Sequence, residues 1–333
     1  MSTLTATIRT AKPDDLDVVL ELLRERVHAP LPVRGLSADQ RRQAALEVYR
    51  QYWHTLEQED RLRVFLAERN GDCVGMMIAA GATVESITGD QQTLLHDHYV
   101  RALEDRLGIL RALEETAIQA ASHPEDRYLV VELPPGDEDE PLFSALGYQV
   151  ELNRIARRCQ AHPVREDPRY LIREARPADH MFVCYLNSLV NENTIPAGRD
   201  HDPAEIGARY LENYYSLQVS GDPTTMAFIC ERKDPDALEE VGFRQAGYLL
   251  VKTGFQEPVT GQRLAYIYDL AVHPDHWGRR ATQLLMRDVE RRLAELGFDI
   301  FCGDISERNP RALKTAIKSL GFTLEYRRFG RKL

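Results

Sequence analysis

The 333-residue sequence predicts an α/β protein made of two tandem copies of one fold, each with a mixed β-sheet and helices on both faces. The main observation is an internal repeat: three segments of the first half return in the second half, in the same order and at nearly constant spacing. They are residues 8–15, 65–69 and 143–148, which return as 172–179, 228–232 and 317–322. Each half has the size of an ordinary domain, and the period is far too long for a solenoid. The sequence therefore describes a duplicated domain.

The elements begin alike in both copies, with a short strand, a turn containing Pro and Asp, and an amphipathic helix. In the first copy Leu16, Val19, Leu20 and Leu23 recur at helical spacing. A second helical stretch and a hairpin follow, and Asn70-Gly71 is a strong hairpin signal. The predicted ranges are 7–10, 41–57, 64–68 and 73–79 in the first copy, and 171–174, 203–217, 227–232 and 245–252 in the second.

A fourth strand, a long helix, a fifth strand and a final helix and strand complete each copy. The fourth strand must be central, because it leads into a helix and then into a parallel neighbour. The predicted ranges up to the fifth strand are 93–100, 108–122 and 128–133 in the first copy, and 264–272, 281–296 and 300–305 in the second. We predict domains at 1–160 and 170–333, joined by a polar linker at 161–169 that contains two prolines.

Composition excludes several classes of protein. Hydrophobic residues make up 43% of the chain, which supports packed cores. A net charge of −10 opposes general binding to nucleic acid. No apolar run is long enough for a membrane helix and no signal pattern opens the chain, so we expect a cytoplasmic protein without a membrane partner. The five cysteines are scattered without a CxxC pair, so neither a disulfide framework nor a zinc site is indicated.

The most informative segment is residues 269–285, in which a strand ends in Val-His-Pro and a short loop opens a helix. The first free N–H groups of a helix, together with its dipole, favour an anion beyond its N-terminus. Further along, Asn309-Pro310-Arg311-Ala312 is followed by Ser319-Leu320-Gly321-Phe322.

These two segments resemble the acyl-CoA-binding motif and the N-x-x-A…GF motif of the GNAT superfamily of N-acetyltransferases, and the opening IRxAxxxD of each copy also fits. The resemblance covers essentially the whole chain, twice. It implies tandem GNAT domains, with acetyl-CoA or another short acyl-CoA as co-substrate and no metal. The residues that it implies for acyl-CoA binding are Leu270, Ala271, Val272, Trp277, Gly278, Arg279, Arg280, Ala281, Thr282 and Asn309.

The loop departs from the family pattern in three places. Trp277 stands where Gln or Arg is usual, Arg280 where Gly is usual, and Thr282 where Gly or Ala is usual; only Gly278 remains as a loop glycine. Glycine lets phosphates approach the backbone closely. Arg280 therefore either obstructs the phosphates or supplies a guanidinium to them.

The first copy aligns with this segment without gaps, but its loop differs more strongly. It lacks the proline, and Glu104 and Asp105 precede the phosphate position, where two carboxylates would repel a pyrophosphate. Leu110 replaces the final small residue. We therefore expect the first copy to support the second without binding the cofactor.

Asp269 is the candidate catalytic base, with Asp97 as its counterpart in the first copy. Transfer to an amine needs a neutral nitrogen, and a carboxylate near the thioester can take the proton directly or through water. The alternative for Asp269 is a structural hydrogen bond, because an aspartate in an apolar strand needs a partner. The tyrosine that often serves the family as general acid is replaced by Ile317 and Phe143, which leaves Ser306, Tyr268, Tyr326 or water.

Two other signals have simpler interpretations. His96 and His98 flank Asp97, but two histidines alone are weak grounds for a metal site. The basic run at residues 327–332 is short, and we expect a solvated strand edge or tail rather than a nucleic-acid site.

The preferred hypothesis is an N-acetyltransferase whose second copy binds acetyl-CoA and whose amine substrate attacks directly in a ternary complex. A small-molecule amine is favoured over a protein, and two copies in one chain suggest a monomer that mimics a dimer. The alternative is a catalytically inactive module that binds acyl-CoA or engages a protein.

Overall fold

The computed structural model describes residues 6–26, 28, 30–56, 62–101, 104–163, 166–210, 224–234, 243–257 and 260–333. The chain divides into two compact units. The first unit comprises Met1–Glu151 and Tyr326–Leu333, and the second unit comprises Leu152–Glu325. None of the helices in these ranges has the length and apolarity needed to cross a membrane.

The first unit contains a mixed sheet with helices on both faces. Its elements are β1 Thr7–Thr10, α1 Leu16–Glu25, α2 Ala38–Leu56, β2 Leu62–Arg69, β3 Asp72–Val84, β4 Gln91–Val100, α3 Arg106–Ala121, β5 Tyr128–Leu133 and α4 Glu140–Ala145. The hairpin turns through Asn70 and Gly71, both at positive φ, as the Asn-Gly signal predicts. Strands run in the order β1-β2-β3-β4-β5, and only β4 and β5 pair in parallel.

The second unit repeats this plan. Its elements are β6 Gln149–Arg158, most of which lies in this unit, β7 Tyr170–Glu174, α5 His180–Val190, β8 Thr225–Arg232, β9 Gln245–Gln256, β10 Arg263–Val272, α6 Ala281–Glu295, β11 Ile300–Ser306 and α7 Pro310–Leu320, with residues 203–210 also helical. The rest of the predicted stretch 203–217 lies outside the described residues. The sheet order is β6-β11-β10-β9-β8-β7, so β10, the predicted fourth strand, is interior. The cores lie between the sheet and α6 on one face, and between the sheet and α5 on the other.

The last strands of the two repeats are exchanged. β6, which ends the first repeat, pairs antiparallel with β11 of the second. β12 (Thr323–Lys332), which ends the second repeat, pairs antiparallel with β5 of the first. The compact units therefore do not coincide with the repeats, and the domain boundaries 1–160 and 170–333 stay a prediction.

The basic run at the end of the chain is not a solvated edge, and that expectation was wrong. Phe329 is buried in the first core, and Arg328 lies 3.2 Å from Glu151 and 3.4 Å from Glu85. Arg331 lies 3.1 Å from Glu114. All three glutamates are almost inaccessible to solvent. Buried carboxylates need cations, which is why this strand is basic.

Each unit has a cleft where its two parallel strands diverge. β10 and β11 pair only from Leu264 to Ile267, and β4 and β5 pair only from Gln92 to Leu95. Just beyond this point, the pairing with the antiparallel neighbour becomes irregular in both units. The register shifts between Ile267 and Asp269 in β10, and just before Asp97 in β4. Bulges of this kind change the direction in which the neighbouring side chains point. The fold thus presents one aspartate at the apex of each cleft.

Candidate functional site

The cleft of the second unit exposes an unpaired strand edge along β10. His273 N–H donates to the Ala246 carbonyl, 2.9 Å away, so residue 273 points toward β9. In an antiparallel ladder the backbone groups of alternate residues point to opposite sides. Leu270 and Val272 therefore direct their N–H and C=O groups into the cleft, where an extended ligand can pair with them.

The loop after β10 is anchored at its base and ends at the N-terminus of α6. His276 is buried, with Nδ1 3.0 Å from the Tyr170 hydroxyl of β7. Burial lowers the pKa of His276 to about 4, so it is neutral at physiological pH. A Cβ built at Gly278 would meet no atom within 4 Å, so the space beside this backbone is open.

Arg280 adopts the left-handed conformation, with φ at 68°, and directly precedes α6. This conformation favours glycine, which explains the glycine of the usual motif. Arg279 and Arg280 are both exposed. The first amides of α6 lack helical acceptors, and two exposed arginines directly precede them in the chain. The donor set therefore fits a diphosphate.

Asp269 occupies a polar pocket at the apex of the cleft. Its Oδ2 accepts a hydrogen bond from the Tyr248 hydroxyl at 2.6 Å and lies 3.3 Å from Nδ2 of Asn187. Removal from water raises the pKa of Asp269 above its ordinary value, while hydrogen bonds from tyrosine and asparagine partly oppose this. Among the described residues no cation forms an ion pair with this carboxylate.

The neighbours of Asp269 were not predicted from the sequence. Asn187 is buried on the apolar face of α5, and a buried asparagine there is a signal that was available. Tyr248 is buried in β9, directly before the apolar run 249–251. Tyr210 belongs to the same surroundings: burial raises its pKa, and the nearby charge of Asp269 raises it further.

The residues expected to bind acyl-CoA are distributed along this cleft and loop. Ala271 and Val272 are buried and Leu270 partly so, which leaves their backbone groups as the usable ones. Ala281 is buried and Thr282 follows it in the first turn of α6. The side chain of Asn309 accepts a hydrogen bond from Ala312 N–H at 3.0 Å, so it caps α7.

Trp277 lies across the mouth of the cleft. Its Nε1 donates to the Val272 carbonyl at 2.8 Å, and the guanidinium of Arg311 stands 4.4 Å from the centre of its ring. The residue is nevertheless 48% exposed. Among the described residues, the side chain of Arg280 forms no comparable contact.

The equivalent aspartate of the first unit has a different environment. Asp97 forms a largely buried ion pair with Arg26 and also accepts a hydrogen bond from the Tyr49 hydroxyl. Burial raises the pKa of Tyr49 to about 12. A carboxylate neutralised by arginine is a poor base, because the ion pair favours its charged form.

The cleft of the first unit is bridged by buried charged groups. His98 of β4 lies 3.0 Å from Asp139, which precedes α4, and Arg106 is 2.7 Å from the same carboxyl group. Burial lowers the pKa of His98. Moreover, α3 begins at Arg106, earlier than the predicted 108, and a Cβ on Gly108 would lie only 2.3 Å from the Asp105 carboxylate. That carboxylate therefore occupies the helix start.

None of the proposed substitutes for the usual general acid is clearly placed for that role. Ser306 donates to the Ile195 carbonyl at 2.6 Å. Tyr326 belongs to the first unit, where Arg41 donates to its hydroxyl at 3.2 Å. Tyr268 stacks on Tyr210 with ring centres 6.5 Å apart, and water stays an alternative.

Comparisons with known proteins agree with the fold. Residues 202–322 match the model of the acetyltransferase (GNAT) family. No protein matches in a search of curated sequences. A GCN5-related glucosamine N-acetyltransferase region of a fungal multi-domain GH3 β-N-acetylglucosaminidase aligns with a TM-score of 0.52 and 14% identity, over 99% of this chain and 38% of that protein. A GCN5-related N-acetyltransferase from Sphaerobacter thermophilus aligns with a TM-score of 0.50 and 16% identity, over 98% and 96% of the two chains.

Proposed function

We propose that the protein transfers an acetyl group from acetyl-CoA to an amine, at one site in the second unit, because residues 202–322 match the GNAT acetyltransferase family model and the chain resembles GCN5-related N-acetyltransferases in fold. The observation that carries the proposal is Asp269, a buried carboxylate of raised pKa at the apex of the cleft where β10 and β11 diverge. The family supplies acyl transfer from CoA; the amine, the single site and the role of Asp269 are proposals.

The cleft residues supply the contacts that acyl-CoA requires. Leu270 and Val272 offer backbone donors and acceptors for the amide-containing arm of the co-substrate. Arg279, Arg280 and the first amides of α6 offer positive charge to its pyrophosphate. Bound acyl-CoA supplies an activated thioester, and these residues orient it toward Asp269.

Asp269 is suited to accept a proton from the attacking amine. A free amine of the lysine type has a pKa of about 10.4, so it arrives protonated at neutral pH. A carboxylate with a raised pKa binds a proton more readily than an ordinary one, directly or through water. Tyr248 and Asn187 fix its orientation, since both hydrogen-bond to Oδ2.

The first unit is proposed to have a supporting role. Its aspartate is paired with Arg26, its cleft is bridged by His98 and Asp139, and Asp105 covers its helix start. A negative charge at that helix start opposes a pyrophosphate. We also propose that the protein acts as a monomer on a small-molecule amine, and light scattering at micromolar concentration tests the first point.

The test combines binding and turnover. Calorimetry with CoA, and release of the CoA thiol in the presence of a panel of amines, are measured for the wild type, Asp269→Asn and Asp97→Asn. We expect Asp269→Asn to lower kcat about 10²–10⁴-fold with little change in CoA affinity. Asp97→Asn should keep the rate of its folded fraction, with unfolding followed in parallel because Asp97 pairs with Arg26.

Each failure has a distinct meaning. CoA binding without transfer to any amine supports the alternative of an inactive acyl-CoA-binding module. Equal rates for Asp269→Asn and the wild type remove Asp269 from the chemistry.

A further inference from the structure

Trp277 and Arg311 connect the two walls of the second unit's cleft, and we call this pair the clasp. Val272, which accepts the indole N–H at 2.8 Å, ends β10, whereas Arg311 lies in the first turn of α7, just beyond β11. β10 and β11 diverge after Ile267, so a contact between their far ends spans the cleft. We propose that the clasp is a closed gate, which acyl-CoA must displace to bind. This inference rests on the proposed function.

The clasp and a bound ligand compete for the same backbone group. Only Leu270 and Val272 direct backbone groups into the cleft along the diverging part of β10. Trp277 already donates its indole N–H to the Val272 carbonyl. A ligand that pairs with this edge as an added strand needs that acceptor, so the indole must leave.

The clasp is weak enough to open. It consists of one neutral hydrogen bond and one cation–π contact on a residue that is 48% exposed, and each has a small net effect in water. Within the described part of the chain, no carboxylate forms an ion pair with Arg311. A phosphate offers a guanidinium a stronger partner than an aromatic face does, so an incoming diphosphate can draw Arg311 away.

The first unit supplies the contrast. There the same gap is spanned by His98 and Asp139, both buried, with Arg106 on the same carboxyl group. In the second unit Leu270 and Gly278 stand at the positions of His98 and Arg106, and among the described residues they form no such bridge. One cleft is thus sealed by buried charges, and the other is held by an exposed aromatic ring.

Fluorescence can report on the clasp directly, because the chain has only two tryptophans. Trp53 is buried in the first unit, and Trp53→Phe leaves Trp277 as the sole tryptophan, which excitation at the red edge of the absorption band observes selectively. Without ligand, adding Arg311→Ala should change the emission and raise quenching by acrylamide, because the ring loses its cover. Coenzyme A should cause a saturable change of emission in the Trp53→Phe protein. An emission that neither Arg311→Ala nor coenzyme A alters would overturn the proposal.

Affinity provides the second test. Trp277→Phe removes the hydrogen bond to Val272 and Trp277→Ala removes the whole clasp, and we expect both to bind coenzyme A about 3–10-fold more tightly than the wild type. The matched control is Phe255→Ala, since Phe255 is a similarly exposed aromatic residue (49%) of the same unit, on β9. The control should leave the affinity unchanged.

The outcomes separate the gate from the function. Tighter binding by both Trp277 variants, with an unchanged control, supports the gate. The gate is also supported if Trp277→Ala is the only protein that binds coenzyme A. Unchanged or weaker binding by the Trp277 variants refutes the gate and leaves the proposed function standing. No binding by any protein, Trp277→Ala included, refutes both.

Discussion

Two aspartates at equivalent places in the repeats differ in what surrounds them. Asp97 faces Arg26 and Tyr49, whereas Asp269 faces Tyr248 and Asn187. An arginine stabilises the charged carboxylate, while burial beside neutral donors destabilises it. The same residue type is therefore paired with a cation in one unit and held by neutral donors in the other.

The pH dependence of transfer should reflect this environment. Only the deprotonated form of Asp269 can accept a proton, and its pKa is raised above the ordinary 3.8. We expect kcat/KM to fall as pH decreases through that raised pKa, at a higher pH than an ordinary aspartate would give. A pH–rate profile between pH 4 and 9 measures this, and the acid limb should disappear from the residual activity of Asp269→Asn.

Asp269→Asn, which should lower activity, should raise the stability of the protein. The folded state holds the proton of Asp269 more tightly than the unfolded state, so this carboxyl group destabilises the protein as pH rises above its unfolded pKa. Asp269→Asn should therefore melt at a higher temperature than the wild type near pH 8. The difference should vanish only well below pH 3.8, where Asp269 is protonated in both the folded and the unfolded state. A lower melting temperature at pH 8 would mean that the charge is structurally required.

At the scale of an element, the loop before α6 carries local strain. Arg280 is one of three described residues other than glycine with positive φ, which costs about 1–2 kcal/mol for a side chain with Cβ. The strained residue is a cation that directly precedes the free amides of a helix start. Strain of this kind persists where the surrounding structure enforces it.

Relieving the strain should stabilise the protein and weaken binding. Arg280→Gly is expected to raise the free energy of unfolding by about 0.5–1 kcal/mol, because relief of strain exceeds the entropy cost of glycine. Coenzyme A affinity should fall, since one cation is lost. The control is Arg279→Gly, which removes a neighbouring exposed cation without positive φ and should not stabilise. Chemical denaturation and calorimetry measure both quantities.

The exchanged strand β6 contributes an arginine that pairs with a buried glutamate of the second unit. Arg157 pairs with Glu290 of α6, which has no exposed surface, and its guanidinium also covers the ring of Phe322 at 4.6 Å. His162 Nε2 lies 2.6 Å from the same glutamate. Removing one partner of a buried pair leaves an uncompensated charge.

A double-mutant cycle tests this pairing. Arg157→Met should lower the free energy of unfolding by about 3–5 kcal/mol. Arg157→Met combined with Glu290→Met should recover most of the loss, because no buried charge is then left alone. Equal losses in the single and double variants would show that the methylene packing of Arg157, rather than its charge, is what matters.

At the scale of the whole molecule, the exchange of last strands makes the repeats interdependent. Each sheet is completed by a strand that the other repeat encodes, and that strand brings arginines for buried glutamates. The second unit, Leu152–Glu325, is nevertheless one continuous segment, whereas the first unit is formed by two.

This arrangement predicts which fragment can fold. Residues 152–325 contain every strand and helix of the second unit and should show a cooperative thermal transition. Residues 170–333 follow the repeat boundary but lack β6, Arg157 and His162, so they should show no such transition or should associate through unpaired strand edges. Circular dichroism and light scattering on both fragments measure this. Cooperative, monomeric folding of residues 170–333 would argue against the exchange.

The sequence by itself determined the duplication, the order of elements and the position of the strand-loop-helix segment proposed to bind the co-substrate, because repeats, periodicity and the loop-to-helix motif are local patterns. β1, β5 and the Asn70-Gly71 hairpin lie where those patterns predict them. Only the tertiary structure decided that β6 and β12 change places, since two last strands of similar pattern satisfy either sheet equally well. It also decided that Asp269 faces neutral donors and Asp97 faces an arginine, and that Trp277 meets Arg311. Those partners come from distant parts of the chain, and no local spacing specifies which of them a fold brings together.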